Sequence, residues 1–80
     1  MRYVTVRVVD SGGRPQSNIR VAIYVNQFAA SGMKDPQYTN SDGETEFALD
    51  IDTFAEISVY VDGQERVKRG SVQAMCKIIL

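Results

Sequence analysis

The sequence predicts an all-β fold, a single antiparallel β-sandwich of six or seven strands. Several stretches alternate apolar and polar residues, the period of a strand with one buried face. Turn-forming residues separate these stretches at intervals of roughly 8–12 residues, a spacing typical of sandwiches and barrels. Helical periodicity is absent over any useful length. With 80 residues, the chain is predicted to form one domain, residues 1–80.

The clearest element is residues 39–49. Its first half is rich in turn formers, because Asn40, Ser41 and Asp42 can bond nearby backbone and Gly43 accepts a positive φ. Its second half alternates, which predicts a strand with one face in the core and one in water. The inward set is Thr45, Phe47 and Leu49, and the outward set is Glu44, Glu46 and Asp50.

Two strands are predicted before this element, Arg2–Val9 and Ile19–Asn26, separated by a turn at Asp10–Pro15 that contains two glycines and a proline. Residues 28–36 are predicted to be a loop, with one short strand or a helical turn near Phe28–Ala30. A short strand is expected at Gln37–Thr39.

The C-terminal part begins with a predicted strand at Glu56–Val61, followed by Asp62-Gly63, a strong signal for a type I′ hairpin turn. The return strand, Gln64–Lys68, is predicted to be a polar edge that ends at Arg69–Ser71. Val72–Leu80 is predicted to be the last strand, with Val72, Ala74, Cys76 and Ile78 on one face. Ile51 and Phe54 are expected to close one end of the fold. The predicted core is Val4, Val6, Val8, Val21, Ile23, Val25, Phe47, Leu49, Ile57, Val59 and Val61.

Composition argues against several functions. With 9 basic and 10 acidic residues, the chain has no overall field that favours nucleic acid or an anionic membrane. One cysteine and no histidine exclude an internal disulfide and a structural zinc site. No signal-peptide pattern or membrane-spanning stretch occurs, so a soluble protein is expected. Its location is predicted to be cytoplasmic, or extracellular if the chain belongs to a longer protein.

Two segments carry a family resemblance. Val4–Val21 combines a first strand ending in Asp10, a Gly-x-Pro turn and a second strand, and Thr39–Leu49 contains Thr-x-x-Asp-Gly followed by a strand. This pattern resembles bacterial Ig-like repeats of the invasin and intimin type. It also resembles the carboxypeptidase regulatory-like, or transthyretin-like (prealbumin-like), domains. The resemblance covers most of the chain.

The resemblance implies a non-catalytic protein-interaction or spacer module, such as one repeat of a bacterial surface or adhesion protein. The alternative is a free-standing cytoplasmic or phage structural or accessory protein, which the unpaired Cys76 favours. The transthyretin-like hydroxyisourate hydrolases end in Tyr-Arg-Gly-Ser and use histidines. Arg69-Gly70-Ser71 matches part of that motif, but the chain has no histidine, so no enzymatic activity is predicted.

The remaining reactive side chains have structural interpretations. Cys76 lacks a histidine base and is predicted to pack in the core. Asp50 with Asp52, or Asp42 with Glu44, supplies fewer oxygens than the six to eight or so that calcium prefers. No metal or cofactor is therefore predicted. The basic run Arg66, Lys68 and Arg69 is predicted to be a solvated loop.

The candidate binding residues are Tyr3, Tyr24 and Tyr60, all predicted on outward faces of strands. Exposed aromatic side chains on a sheet form recognition surfaces for a protein partner, a neighbouring domain or, more weakly, a carbohydrate. The alternative is that these rings only cover the sheet through cross-strand pairing.

Overall fold

A computed structural model describes residues 2–27, 31–51 and 55–80. Within these ranges the chain forms eight strands and no helix. The two-residue strand Gly32–Met33 lies in the predicted loop, which is one reason why the count exceeds the predicted six or seven. The expectations for Phe28–Ala30, Asp52 and Phe54 fall outside the described residues. The strands are β1 (Arg2–Val9), β2 (Arg20–Asn26), β3 (Gly32–Met33), β4 (Gln37–Tyr38), β5 (Glu44–Leu49), β6 (Glu56–Val61), β7 (Gln64–Ser71) and β8 (Met75–Ile79).

The strands form two sheets. In the smaller sheet β1 lies between β5 and β8; in the larger, β2 pairs with β3, β4 and β6, and β6 pairs with β7. All pairs are antiparallel except β1 with β8, which is parallel. The prediction of a purely antiparallel fold is therefore wrong at this pair. The reason is that β8 follows a crossing from the larger sheet to the smaller one, so no tight hairpin fixes its direction relative to β1.

The apolar core lies between the inward faces of the two sheets. Every residue of the predicted core is buried, and the clustered set also includes Ile78. Ile51 and Cys76 pack partly buried against this cluster, as expected for both. The strict alternation of the valines in β1 and β2 explains this result, because a period of two places the whole set on one face.

Two small residues on the outer face of the larger sheet are buried: Ala22 is 5% exposed and Ser58 is 4% exposed. The register of β2 with β6 places Ala22 opposite Tyr60 and Tyr24 opposite Ser58. Each small side chain thus lies beside a large ring, which shields it from water.

The predicted break at Arg69–Ser71 is wrong, and the basic run Arg66, Lys68 and Arg69 lies on a strand and not in the predicted loop, although its side chains are exposed as predicted. These residues continue β7 beyond an irregularity in its pairing with β6. Arg69 has a φ of 49°, and its backbone N–H donates to Ser58 Oγ over 3.1 Å. Its guanidinium lies 3.4 Å from Glu56 Oε1. The positive φ of Arg69 lies at a register shift of the β6–β7 pairing, which is a bulge, and the strand continues beyond it.

The last strand is shorter than predicted, and Ala74 is exposed outside it. The hairpin between β6 and β7 is confirmed, since Asp62 and Gly63 have φ values of 54° and 82°, as a type I′ turn requires.

Candidate interaction site

The structure brings two of the three candidate tyrosines together. Tyr24 on β2 and Tyr60 on β6 are diagonal neighbours on the outer face of the larger sheet, because their direct partners are Ser58 and Ala22. Tyr3 lies on β1, in the other sheet, and is 57% exposed. The three rings therefore do not form one continuous surface.

The larger-sheet pair has internal partners. The Tyr60 hydroxyl donates to Glu65 Oε2 over 3.2 Å. Partial burial raises the pKa of Tyr60, and the neighbouring Glu65 carboxylate adds to the shift. Tyr24 and Tyr60 are only half-buried, so parts of both side chains remain accessible. Their contact with a partner stays a prediction.

Sequence reasoning missed a second group of exposed apolar side chains, on β8 and just after it. Met75, Ile79 and Leu80 are 46%, 59% and 41% exposed. The sequence contained a signal for this group, because both faces of β8 carry apolar side chains. Ile78 points into the core, whereas Met75 and Ile79 point to the opposite face. Large apolar side chains on an outer face are typical of a contact surface when they occur together.

β8 is an edge strand with an unpaired side. Thr5 N–H donates to the Ala74 carbonyl, and Leu80 N–H donates to the Val9 carbonyl, both over 2.9 Å. Backbone groups alternate in direction along a strand, so those of Met75, Lys77 and Ile79 point away from β1. In the part of the chain that the structure describes, no strand pairs with this side of β8.

A cleft of about 250 Å³ separates β7 from β8. Its apolar lining comes from Ile57, Val67, Met75 and Cys76. Burial raises the pKa of the Cys76 thiol, so at neutral pH the thiol remains protonated and is a weak nucleophile. This placement agrees with a packing role for Cys76.

Of the carboxylates considered for calcium, Asp42, Glu44 and Asp50 lie within the described residues and Asp52 lies outside them. Among residues 2–27, 31–51 and 55–80, no group of three or more His, Cys, Asp or Glu side chains is arranged to hold a metal ion. Glu44 Oε2 instead lies 3.9 Å from Arg7 Nε.

Residues 2–27, 31–51 and 55–80 contain no helix long and apolar enough to cross a membrane.

No protein-family model matches the chain, and no curated protein matches it at a significant level. The resemblance to Ig-like and transthyretin-like domains therefore stays a prediction from the sequence.

Proposed function

We propose that the chain is a non-catalytic β-sandwich module, Ig-like or transthyretin-like, that binds a protein partner by adding a strand at the β8 edge. The observation that carries this proposal is the free side of β8. There the outward-pointing backbone groups of Met75, Lys77 and Ile79 coincide with two exposed apolar side chains, Met75 and Ile79.

Strand addition uses both features. The backbone groups of an open edge supply hydrogen bonds to any extended segment, and the alternate side chains select among segments. Proteins that avoid such pairing usually protect an edge with charges, proline or a covering loop. β8 has one charged residue, Lys77, between two exposed apolar residues, so its protection against pairing is weak.

The architecture supports the same role. The inward faces of the two sheets share one apolar core, which is the arrangement of a sandwich. The described Cα atoms extend over 39 × 20 × 19 Å, an elongated shape that suits a spacer as well as a binding module. The half-buried, protonated Cys76 thiol supports the non-catalytic assignment.

Site-specific photo-crosslinking in the cells that naturally contain the protein tests the proposal. A photoreactive phenylalanine analogue replaces Met75 in one variant and Arg14, an exposed turn residue outside the strands, in a control variant. We expect covalent adducts to a protein from position 75 and few from position 14. Equal labelling at both positions, or none at position 75, would contradict the proposal.

A further inference from the structure

The charges of the chain are unevenly distributed between the two edges of the smaller sheet. Residues 40–50, which include β5, contain four acidic side chains and no basic one. β8, at the opposite edge, contains one charged side chain, the basic Lys77. The other basic side chains of residues 64–80 lie on β7, in the larger sheet. The β5 edge therefore carries acidic side chains and the β8 edge carries one basic side chain, although the net charge is only −1.

The directions of these two edges match. β5 runs antiparallel to β1, and β8 runs parallel to β1, so β8 and β5 run in opposite directions. Two copies placed side by side in the same orientation therefore bring β8 of one copy next to β5 of the other as an antiparallel pair. Antiparallel pairing is the more stable arrangement per residue.

The free backbone groups restrict the register. Val8 N–H donates to the Gly43 carbonyl, so alternation directs the backbone groups of Glu44, Glu46 and Ala48 away from β1. The backbone groups of Glu44 are already bonded to Asn40. The Asn40 N–H donates to the Glu44 carbonyl, and the Glu44 N–H donates to Asn40 Oδ1. Within residues 2–27, 31–51 and 55–80, no strand pairs with the Glu46 and Ala48 side of β5.

We propose that the partner at the β8 edge is a second copy of this chain, and this inference rests on the proposed function. β8 of one copy pairs with β5 of the next, with Lys77 opposite Glu46 and Met75 opposite Ala48. This register joins opposite charges, places an apolar residue against an apolar residue, and uses the outward backbone groups of Met75, Lys77, Glu46 and Ala48. Ile79 then lies opposite Glu44, whose backbone groups stay bonded to Asn40. Glu46 and Lys77 point to the outer face of the sheet, and both are exposed.

The two edges of the interface are different, so each copy still presents one free edge of each kind after pairing. Such a head-to-tail contact repeats until the assembly closes into a ring, or it continues as a filament. A two-fold dimer through β8 alone would leave no β8 edge free, so it could not extend into a ring or a filament. It would also bring the Lys77 residues of both copies close together.

Sedimentation velocity of the purified chain over a range of concentrations is the direct test. We expect species larger than the dimer to appear as concentration rises, and added salt to weaken the association because it screens the Lys77–Glu46 pair. A chain that stays monomeric at all concentrations at low salt would overturn the inference.

Charge reversal then identifies the edges. Lys77→Glu or Glu46→Lys alone should weaken association about tenfold, since each replaces an attractive cross-strand pair by a repulsive one. A mixture of the two variants should associate again, because the β8 edge of the first variant, now acidic, then meets the β5 edge of the second, which carries the new lysine. Arg14→Glu and Asp35→Lys make the same changes in net charge at exposed positions outside the strands, and they should leave association unchanged.

Equal effects of the edge and control variants would overturn the inference, and so would a mixture that fails to associate. These outcomes are separable from failure of the proposed function. A monomeric chain that still forms photo-adducts with a different protein at position 75 retains the binding edge and loses only the self-association. Adducts at twice the mass of the chain support both the binding edge at β8 and the self-association.

Discussion

The turns at Asp10–Arg14 and Asn40–Glu44 have the same hydrogen-bond pattern but different surroundings. In each turn, the backbone N–H of the first residue donates to the carbonyl of the fifth over 2.9 Å. In each, the first side chain accepts bonds from the N–H groups of the third and fifth residues through Oδ1. The fourth residue is a glycine with positive φ, 85° at Gly13 and 75° at Gly43.

The difference lies in what surrounds each glycine. A Cβ added at Gly13 would meet nothing within 4 Å. A Cβ added at Gly43 would lie 2.6 Å from the Val8 carbonyl oxygen and 3.0 Å from the Gln16 nitrogen. The second turn is therefore packed against the end of β1 and the residues that leave the first turn. Two turns with the same hydrogen-bond pattern therefore differ in packing: Gly13 has open space around it, whereas Gly43 is packed against the backbone of other segments.

Among the substitutions that test this comparison, Gly43→Ala should have the largest effect on the free energy of unfolding. The new methyl group would clash with the Val8 carbonyl, whose distance is fixed by the 2.7 Å bond from Val8 N–H to the Gly43 carbonyl. Backbone strain from positive φ adds to the clash. We expect a loss of about 2–5 kcal/mol in the free energy of unfolding, measured by urea denaturation. A loss of less than about 1 kcal/mol would show that the turn moves away from β1 without cost.

Thr39→Val should have the next largest effect, because Thr39 connects the two regions. Its hydroxyl donates to the Gln16 carbonyl over 2.6 Å and accepts from Ile19 N–H over 2.9 Å. The side chain is 5% exposed, so valine keeps the volume and removes both bonds. We expect a loss of about 1–3 kcal/mol in the free energy of unfolding, from thermal or urea melting.

Thr5→Val is the matched control for Thr39→Val. Thr5 lies on the outer face of β1, half-buried, so the same substitution should change stability by no more than about 0.5 kcal/mol. Similar losses in both variants would mean that the Thr39 hydroxyl does not hold residues 16–19 against the second turn.

Gly13→Ala measures the free-energy cost of placing a residue with a Cβ in the left-handed backbone conformation, without a steric clash. With no neighbour within 4 Å, alanine should lose only about 1–2 kcal/mol, the cost of a left-handed backbone for a residue with a Cβ. The same denaturation curves measure it. A loss as large as that of Gly43→Ala would contradict the assignment of the larger effect to the contact with β1.

The two turns also show what the sequence could predict. Asn40, Asp42 and Gly43 indicated a turn correctly, as did Asp10 with its two glycines, because turn chemistry depends on neighbouring residues only. The sequence could not show that Gly43 is packed and Gly13 is free. That difference depends on Val8 and Gln16, which are distant in sequence from Gly43.

The same reasoning applies to the strands and the candidate site. Alternation placed the core valines correctly, whereas the parallel β1–β8 pair depends on a crossing between sheets that has no local signal. Tyr24 and Tyr60 were predicted on outward faces of their strands, but only the pairing of β2 with β6 makes them neighbours on one face. The open side of β8 was missed because whether a strand is an edge is decided by the other strands, not by its own residues.

The smallest effects should come from exchanging the first residues of the two turns, Asp10→Asn and Asn40→Asp. Both side chains act in these turns through one acceptor oxygen, Oδ1, which the amide and the carboxylate share. Each exchange should therefore change the free energy of unfolding by no more than about 0.5 kcal/mol, whereas Asp10→Ala and Asn40→Ala should each lose about 1 kcal/mol. Urea denaturation of the four variants in parallel separates the two cases. If Asn40→Asp is as destabilising as Asn40→Ala, the second turn requires the amide itself, and the chemical equivalence of the two turns is wrong.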